Sequence, residues 1–296
     1  MKALQGIRIL SLALNLPGPA ALHRLRAMGA RCIKLEPPPP DAGAPGRSAD
    51  PMQQYAPPAY DALQAGIRVV HADLKSDRGQ QRLQRELAAC DVLLTSFRPS
   101  ALKRLGLAWS TLHRQYPALS LVSIVGWPAP QDEIPGHDLT YMAQNGLVSG
   151  LQPPPTLFAD MTGAVMASEA VLQALLLRQA RGRGTRHEVA LSKAAEWLAW
   201  PRRWGLTDPA RRSGILGGRH AGYRLYACRD GRVAVAALEP HFYRSLCAAA
   251  GLAPDPAVDS RATHDALERW FGQQTRRRLE QLALQHDLPL HTLPRA

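Results

Sequence analysis

The string Pro135-Gly136-His137-Asp138-Leu139-Thr140-Tyr141 and the later Asp160 are the residues best suited to proton chemistry. An imidazole and a carboxylate are groups that serve as general acid or base. Each stands at the start of a helical pattern, late in a series of alternating strand-like and amphipathic runs. Ligand crevices in open α/β sheets form at such strand-to-helix ends. Plainer roles exist for both. A histidine in a loop is commonplace. Asp160 precedes a helix marked by Val165, Leu172, Leu175 and Leu176, so it also reads as an N-cap, typically worth about 1 kcal/mol. Spacing alone leaves both readings open.

The segments that must position these residues begin with an apolar run, Ile7 to Leu12, and the turn Asn15-Leu16-Pro17-Gly18-Pro19. A helical pattern from Ala20 to Met28 stops at Gly29, and Arg31 to Glu36 is the next strand. Strand, glycine-containing turn, helix and strand make a βαβ unit. The turn lacks a full G-x-G-x-x-G, so no dinucleotide fingerprint is present. Residues 37–60, rich in proline, alanine and glycine, read as an exposed extended excursion, not a helix. Strands are expected at Arg68–Asp73, Asp91–Thr95 and Leu119–Val125, with a helix over Gly79–Ala89. Arg98, just past a strand end, is placed either to clamp a phosphate or to pair with a surface carboxylate.

A long helix to Arg178, closed by Arg181-Gly182-Arg183-Gly184, is followed by a strand at Glu188–Leu191 and a helix at Lys193–Trp200. Pro201–Arg212 reads as a linker, which divides the chain into a large domain, 1–200, and a smaller α+β domain, 201–296. In the smaller part, strands Tyr223–Cys228 and Val233–Ala237 meet at Asp230-Gly231, a hairpin signal. Glu239-Pro240 opens a helix to about Ala250, with proline where a first helical turn accepts it. Asp265–Gln285 reads as one last amphipathic helix.

Composition narrows the function class. The 296 residues carry a formal charge of +12, mostly arginine. That reads as a solvated basic surface or as attraction to a polyanion. With no zinc-finger, aromatic-strand or helix-turn-helix signature, a phosphorylated small molecule suits the charge better than nucleic acid. No apolar run approaches the roughly 18 residues of a membrane span, and no signal peptide opens the chain, so a soluble cytoplasmic protein is expected. The four cysteines (Cys32, Cys90, Cys228, Cys247) have no metal-ligand or disulfide-framework spacing. They read as buried thiols, and neither a metal nor a resident cofactor is expected.

Several ordered strings together resemble the class III CoA-transferase family, and within it the α-methylacyl-CoA racemase branch. They are Gly6-Ile7-Arg8-Ile9-Leu10, Pro17-Gly18-Pro19, Met28-Gly29-Ala30, Lys34-Leu35-Glu36-Pro37, Asp73-Leu74-Lys75-Ser76, Phe97-Arg98-Pro99, Arg104-Leu105-Gly106-Leu107, Gly136-His137-Asp138, Arg181–Gly184 and Ala237–Tyr243. The resemblance implies an α/β fold: a Rossmann-like large domain with a parallel sheet, a smaller α+β domain, and an interlocked homodimer. It further implies that His137 and Asp160 exchange the α-proton of a 2-methylacyl-CoA, and that Glu239, brought by the partner, supports His137. Coenzyme A then enters as the substrate thioester, with Arg68, Arg98, Gly136, Asp138 and Tyr141 as contacts. Members usually carry an Asn-Arg-Gly-Lys-Arg-like string where CoA binds; here it reads Gln64-Ala65-Gly66-Ile67-Arg68, keeping the last basic residue. The transferase branch uses the aspartate at the position of Asp160 as a nucleophile that forms acyl anhydrides. It usually lacks the histidine and carries a glycine-rich loop in the small domain.

Overall fold

The computed structural model describes residues 2–39, 48–207, 214–253 and 258–295. Contacts divide the chain into two units, Met1–Leu198 and Ala199–Ala296. The strands of the first unit are β1 (Arg8–Ser11), β2 (Arg31–Glu36), β3 (Arg68–His71), β4 (Val92–Thr95), β5 (Ser120–Val125) and β6 (Arg186–Ala190). Its helices are α1 (Pro17–Ala27), α2 (Pro51–Tyr55), α3 (Pro57–Gln64), α4 (Asp77–Ala88), α5 (Pro99–Arg104), α6 (Trp109–Gln115), α7 (Asp138–Gln144), α8 (Phe158–Arg181) and α9 (Leu191–Leu198).

All strand pairings here are parallel, in the order β3-β2-β1-β4-β5-β6. The order reverses between β1 and β4, so the connections after these two strands leave to opposite sides and a crevice opens at their carboxyl ends. Every residue of β4 and β5 is buried, as befits strands covered on both faces. Ile9, Leu22, Leu25, Val122 and Ala167 form the core on the α1 and α8 side. Leu10, Leu83, Leu93, Leu112 and Leu121 form it on the α4 and α6 side. The 24-residue α8 is long and apolar enough to cross a membrane, yet Ala159, Gly163, Ala164, Ala167 and Ala174 are buried and it packs on α1, β5, β6 and α9. Small residues let the backbones approach, so α8 serves as a core helix.

Three expectations need correction in this unit. The excursion at 37–60 contains α2 and the start of α3, while its residues 40–47 lie outside the described ones. Pro51 and Pro57 occupy first-turn positions, where a missing N–H costs nothing. The segment is not simply exposed either: Ser48, Asp50, Met52 and Tyr60 are buried. Asp160 is not a cap. Leu157 is the N-cap residue of α8, which puts Asp160 inside the first turn. Arg68 opens β3 and so stands at the amino edge of the parallel sheet, opposite the crevice.

The second unit holds α10 (Trp200–Arg203), β7 (Tyr223–Cys228), β8 (Gly231–Ala236), α11 (Pro240–Ala249), α12 (Arg261–Gln273), α13 (Arg276–His286) and β9 (Leu290–Leu293). Its sheet is antiparallel, in the order β7-β8-β9, and its core includes Val233, Leu246, Leu267, Leu279 and Tyr226 stacked on Phe271. Of the expected linker, Pro201–Arg203 is helical and residues 208–213 lie outside the described ones. The single helix expected over 265–285 is two, because Thr275 leaves helical geometry and its hydroxyl accepts the Arg278 N–H at 3.2 Å. β9 lies in a stretch read above without structure.

Candidate active site

A cavity of about 140 Å³ opens beyond the carboxyl ends of β1, β4, β5 and β6. Its walls come from the turn after β1 (Leu14, Asn15, Pro17), the turn after β4 (Ser96, Phe97, Arg98), the residues closing β5 (Ile124, Val125, Gly126) and Leu191 after β6. A loop carrying Asp132, Ile134, Pro135, Gly136 and His137 completes them, with Tyr141 of α7 and Asp160 of α8. Drug-sized ligands fill about 300 Å³ or more, so this cavity has room for the reacting end of a larger molecule. Of the residues singled out in the sequence, Arg98, Gly136, His137, Tyr141 and Asp160 meet here.

His137 is the N-cap residue of α7, with extended backbone (φ −140°, ψ 171°). Its N–H donates to the Thr140 hydroxyl at 3.1 Å, and that hydroxyl donates to the His137 carbonyl at 2.7 Å. The backbone and Thr140 thus close the helix start, and the imidazole is exposed. Gly136 before it has no substitute: a Cβ there would lie 2.3 Å from the Trp127 ring and 2.7 Å from that of Tyr141. These rings meet edge to face at 4.8 Å, and Trp127 Nε1 donates to Gln144 at 2.6 Å, which fixes the loop against α7.

Asp138, buried, accepts the backbone N–H of Asp160 on Oδ1 at 3.0 Å and so ties the starts of α7 and α8 together. Burial, and secondarily the charge of Asp138, push Asp160 up from 3.8 to about 7. A place in the first turn of α8 favours the anion, but burial opposes it more strongly. The rise corresponds to about 4 kcal/mol against ionisation, whereas a helix N-terminus returns an anion typically 0.3–1 kcal/mol. Desolvation wins, and Asp160 exchanges a proton near neutrality. Tyr141 is pushed up to about 12, by burial first and by Asp160 next, with Arg98 opposing, so its phenol keeps its proton. No carboxylate pairs with Arg98 among the described residues, which leaves its exposed guanidinium for an anion.

Other expected contacts lie elsewhere. Arg68 is bound to Glu86 at 2.8 Å, and Glu86 also takes Arg82 at 2.8 Å. Glu239, in the second unit, is the exposed N-cap residue of α11 and makes no side-chain cap bond. All four cysteines are free, and three of them are buried. No group of three or more His, Cys, Asp or Glu side chains suited to a metal occurs among the described residues. A second hollow, about 660 Å³, shares Phe97 with the first and is lined by Leu74, Lys75, Ala101, Arg104 and Leu105. Lys75 and Arg104 stood inside two of the family-like strings but had no role assigned to them. Asn15, Ser96 and Asp132 were missed as wall residues, and only the position of their turns after strand ends could have pointed to them.

A six-stranded parallel sheet whose order-reversal crevice is lined by His137 and Asp160 defines the chain as a doubly wound α/β protein. The chain belongs to CoA-transferase family III, whose profile matches residues 4–295. It is 29% identical over 278 residues to the α-methylacyl-CoA racemase of Homo sapiens, covering 89% of this chain and 69% of that protein. It is 31% identical over 205 residues to the cinnamoyl-CoA:phenyllactate CoA-transferase of Clostridium sporogenes, covering 64% of this chain and 49% of that protein. The chain thus spans about two thirds of the length of the racemase and half that of the transferase. Among solved structures, Rv3272 from Mycobacterium tuberculosis aligns with a TM-score of 0.79 at 24% identity, over 98% of this chain and 85% of that one.

Proposed function

We propose that the chain epimerises a 2-methylacyl-CoA thioester by moving the α-proton through an enolate. The observation that carries this reading is the placing of His137 and Asp160 on one small cavity, with Asp160 raised to about 7. In one direction neutral His137 takes the α-proton and the Cα–H electron pair moves into the thioester as an enolate. The protonated Asp160 then delivers its proton to the opposite face, leaving imidazolium and carboxylate. The reverse direction uses the same two groups in exchanged roles, so each must hold a proton readily near neutral pH. A carboxyl at its ordinary value would be a poor acid for a carbanion at that pH; burial corrects this. The enolate oxygen needs hydrogen-bond donors preorganised around it.

Supporting the CoA part is the second hollow, lined by Lys75 and Arg104 together with Leu74, Phe97 and Leu105. Cations beside apolar side chains suit a phosphorylated nucleotide, and Arg98 lines the first cavity. The complete enzyme is proposed as a cytoplasmic homodimer in which Glu239 of a second chain supports His137. The exposed Trp197, Trp200 and Trp204 suit a partner-covered connection. Transfer of CoA between carboxylic acids, with Asp160 as nucleophile, is the competing reaction on the same residues. The test is to incubate the protein with a 2-methylacyl-CoA in D₂O without an acceptor acid. Deuterium at the α-carbon is expected. Hydroxylamine trapping of an acyl group on Asp160, with no α-exchange, would overturn the reading in favour of the transferase.

A further inference from the structure

Asn15 lies in the turn after β1 with a left-handed backbone, φ 65°. Among described non-glycine residues only Asp287 shares such a value. Asparagine tolerates this region better than most residues, but it is an uncommon choice and marks a place worth explaining. The explanation begins with what holds the residue. Its N–H donates to Asp50 Oδ1 at 3.0 Å, and its own Oδ1 accepts the Tyr55 hydroxyl at 3.0 Å. Asp50 is fully buried, bound through Oδ2 to Lys34 Nζ at 2.5 Å and capping α2 through the Met52 N–H at 3.0 Å. Lys34, also fully buried, reaches Glu36 at 2.5 Å, and Glu36 takes the hydroxyls of Ser48 and of Tyr60. A buried ion cluster of this kind is weak evidence for stability, since well-packed apolar residues often do as well. Its evident work here is to fix one exposed-side turn.

Tyr55 adds a second, separate observation. Its side chain is 64% exposed, so water could satisfy its hydroxyl and no buried group requires the bond to Asn15. What the bond does is set the amide: with the oxygen facing Tyr55, the NH₂ end is left with no partner among the described residues. Asn15 lines the cavity together with His137 and Asp160. The Tyr55 hydroxyl feels the charge of Asp160, after burial and Asp50, and Asn15 and Asp160 line the same cavity.

We propose that the Asn15 side-chain amide donates a hydrogen bond to the thioester oxygen of the substrate and stabilises the negative charge that develops there, with Tyr55 as the positioning residue that orients it. The assignment rests on the acyl-CoA reading of the cavity. It holds for either reaction, because enolate formation and attack on the thioester carbonyl both put the electron pair on that oxygen. Asn15 transfers no proton; its N–H only stabilises the oxyanion.

The test compares Asn15→Gly and Asn15→Asp with the parent chain. Glycine keeps the left-handed turn without the amide, and aspartate keeps shape and turn preference without the donor. Loss of one oxyanion donor typically lowers kcat about 10²- to 10³-fold, and kcat/KM should fall equally, with KM within about threefold. Tyr55→Phe, at an exposed side chain, should fold normally and lower kcat about 5- to 10-fold. A binding readout runs beside the kinetics. A CoA ester analogue with an anionic oxygen in place of the enolate oxygen should bind Asn15→Gly about 100-fold more weakly, while a neutral acyl-CoA binds it within about threefold of the parent. If Asn15 merely permits the turn, Asn15→Gly keeps both kcat and analogue affinity, and the proposal falls. If the parent chain catalyses neither exchange nor transfer, the proposed function falls instead, and the analogue still decides Asn15: equal or absent binding by parent and variant overturns the assignment.

Discussion

Asp160→Asn should make the protein more stable at pH 8 than the parent, and no more stable at pH 4. The folded chain holds this carboxyl at about 7 against 3.8 for the ordinary group, chiefly by burial. Raising a carboxyl on folding means that the native state binds the proton more tightly. The associated stability is complete below about pH 4 and is lost as pH rises through 7. Above that point the parent carries a buried, poorly solvated anion costing about 4 kcal/mol relative to its protonated form. Asparagine matches the protonated carboxyl in shape and carries no charge, and the Asp138–Asp160 N–H bond is a backbone contact that survives. A domain of about 200 residues shifts its Tm roughly 2–4 °C per kcal/mol, so the variant should melt about 8–16 °C higher at pH 8. The gain should shrink between pH 7 and 4 and vanish below. Thermal unfolding followed by circular dichroism across that range is the assay. A difference independent of pH, or a variant less stable at pH 8, would refute the claim that Asp160 is a desolvated carboxyl.

Four further outcomes are expected. Epimerisation should show the same bell-shaped pH profile in both directions, because the pair must hold one proton in either sense; direction-dependent limbs in the rate profile would contradict it. Gly136→Ala should cost about 1–3 kcal/mol through overpacking against Trp127 and Tyr141 and depress turnover with it, as denaturant unfolding and kinetics together would show. Lys75→Ala with Arg104→Ala should raise KM for acyl-CoA at least tenfold with kcat little changed, whereas Arg68→Ala should leave both nearly alone. Light scattering should find dimers at micromolar concentration, and a purely monomeric chain would leave His137 without Glu239 from a second copy.

The parallel strands and the helix starts at His137 and near Asp160 were legible because apolar runs, glycine stops and hairpin residues are local signals. Gly182 ends α8 in a left-handed conformation, as its place after Arg181 foretold. What escaped reading depended on burial, which the sequence does not display. Asp160 looked like a cap because small acidic residues before apolar runs usually are, and its desolvation is set by chain segments far away. Nothing local in the sequence marks Lys34, Glu36 and Asp50 as buried, yet the fold encloses all three. Prolines at 51, 57 and 58 argued for an extended segment, although the first turn of a helix accepts them. Arg68 was chosen for its string, yet strand direction puts it at the wrong edge of the sheet.

The central claim is that His137 and Asp160 serve opposite faces of one α-carbon. It is tested most directly by following solvent deuterium into each enantiomer of a 2-methylacyl-CoA separately, with His137→Ala and Asp160→Ala. Both variants should lose epimerisation in both directions, since every turnover needs both groups, with each general acid–base group contributing about 10²- to 10⁴-fold. Each variant should keep α-exchange for one enantiomer only, and the surviving enantiomer should differ between them. Loss of exchange for the same enantiomer in both, or full epimerisation by a folded Asp160→Ala chain, would contradict the account.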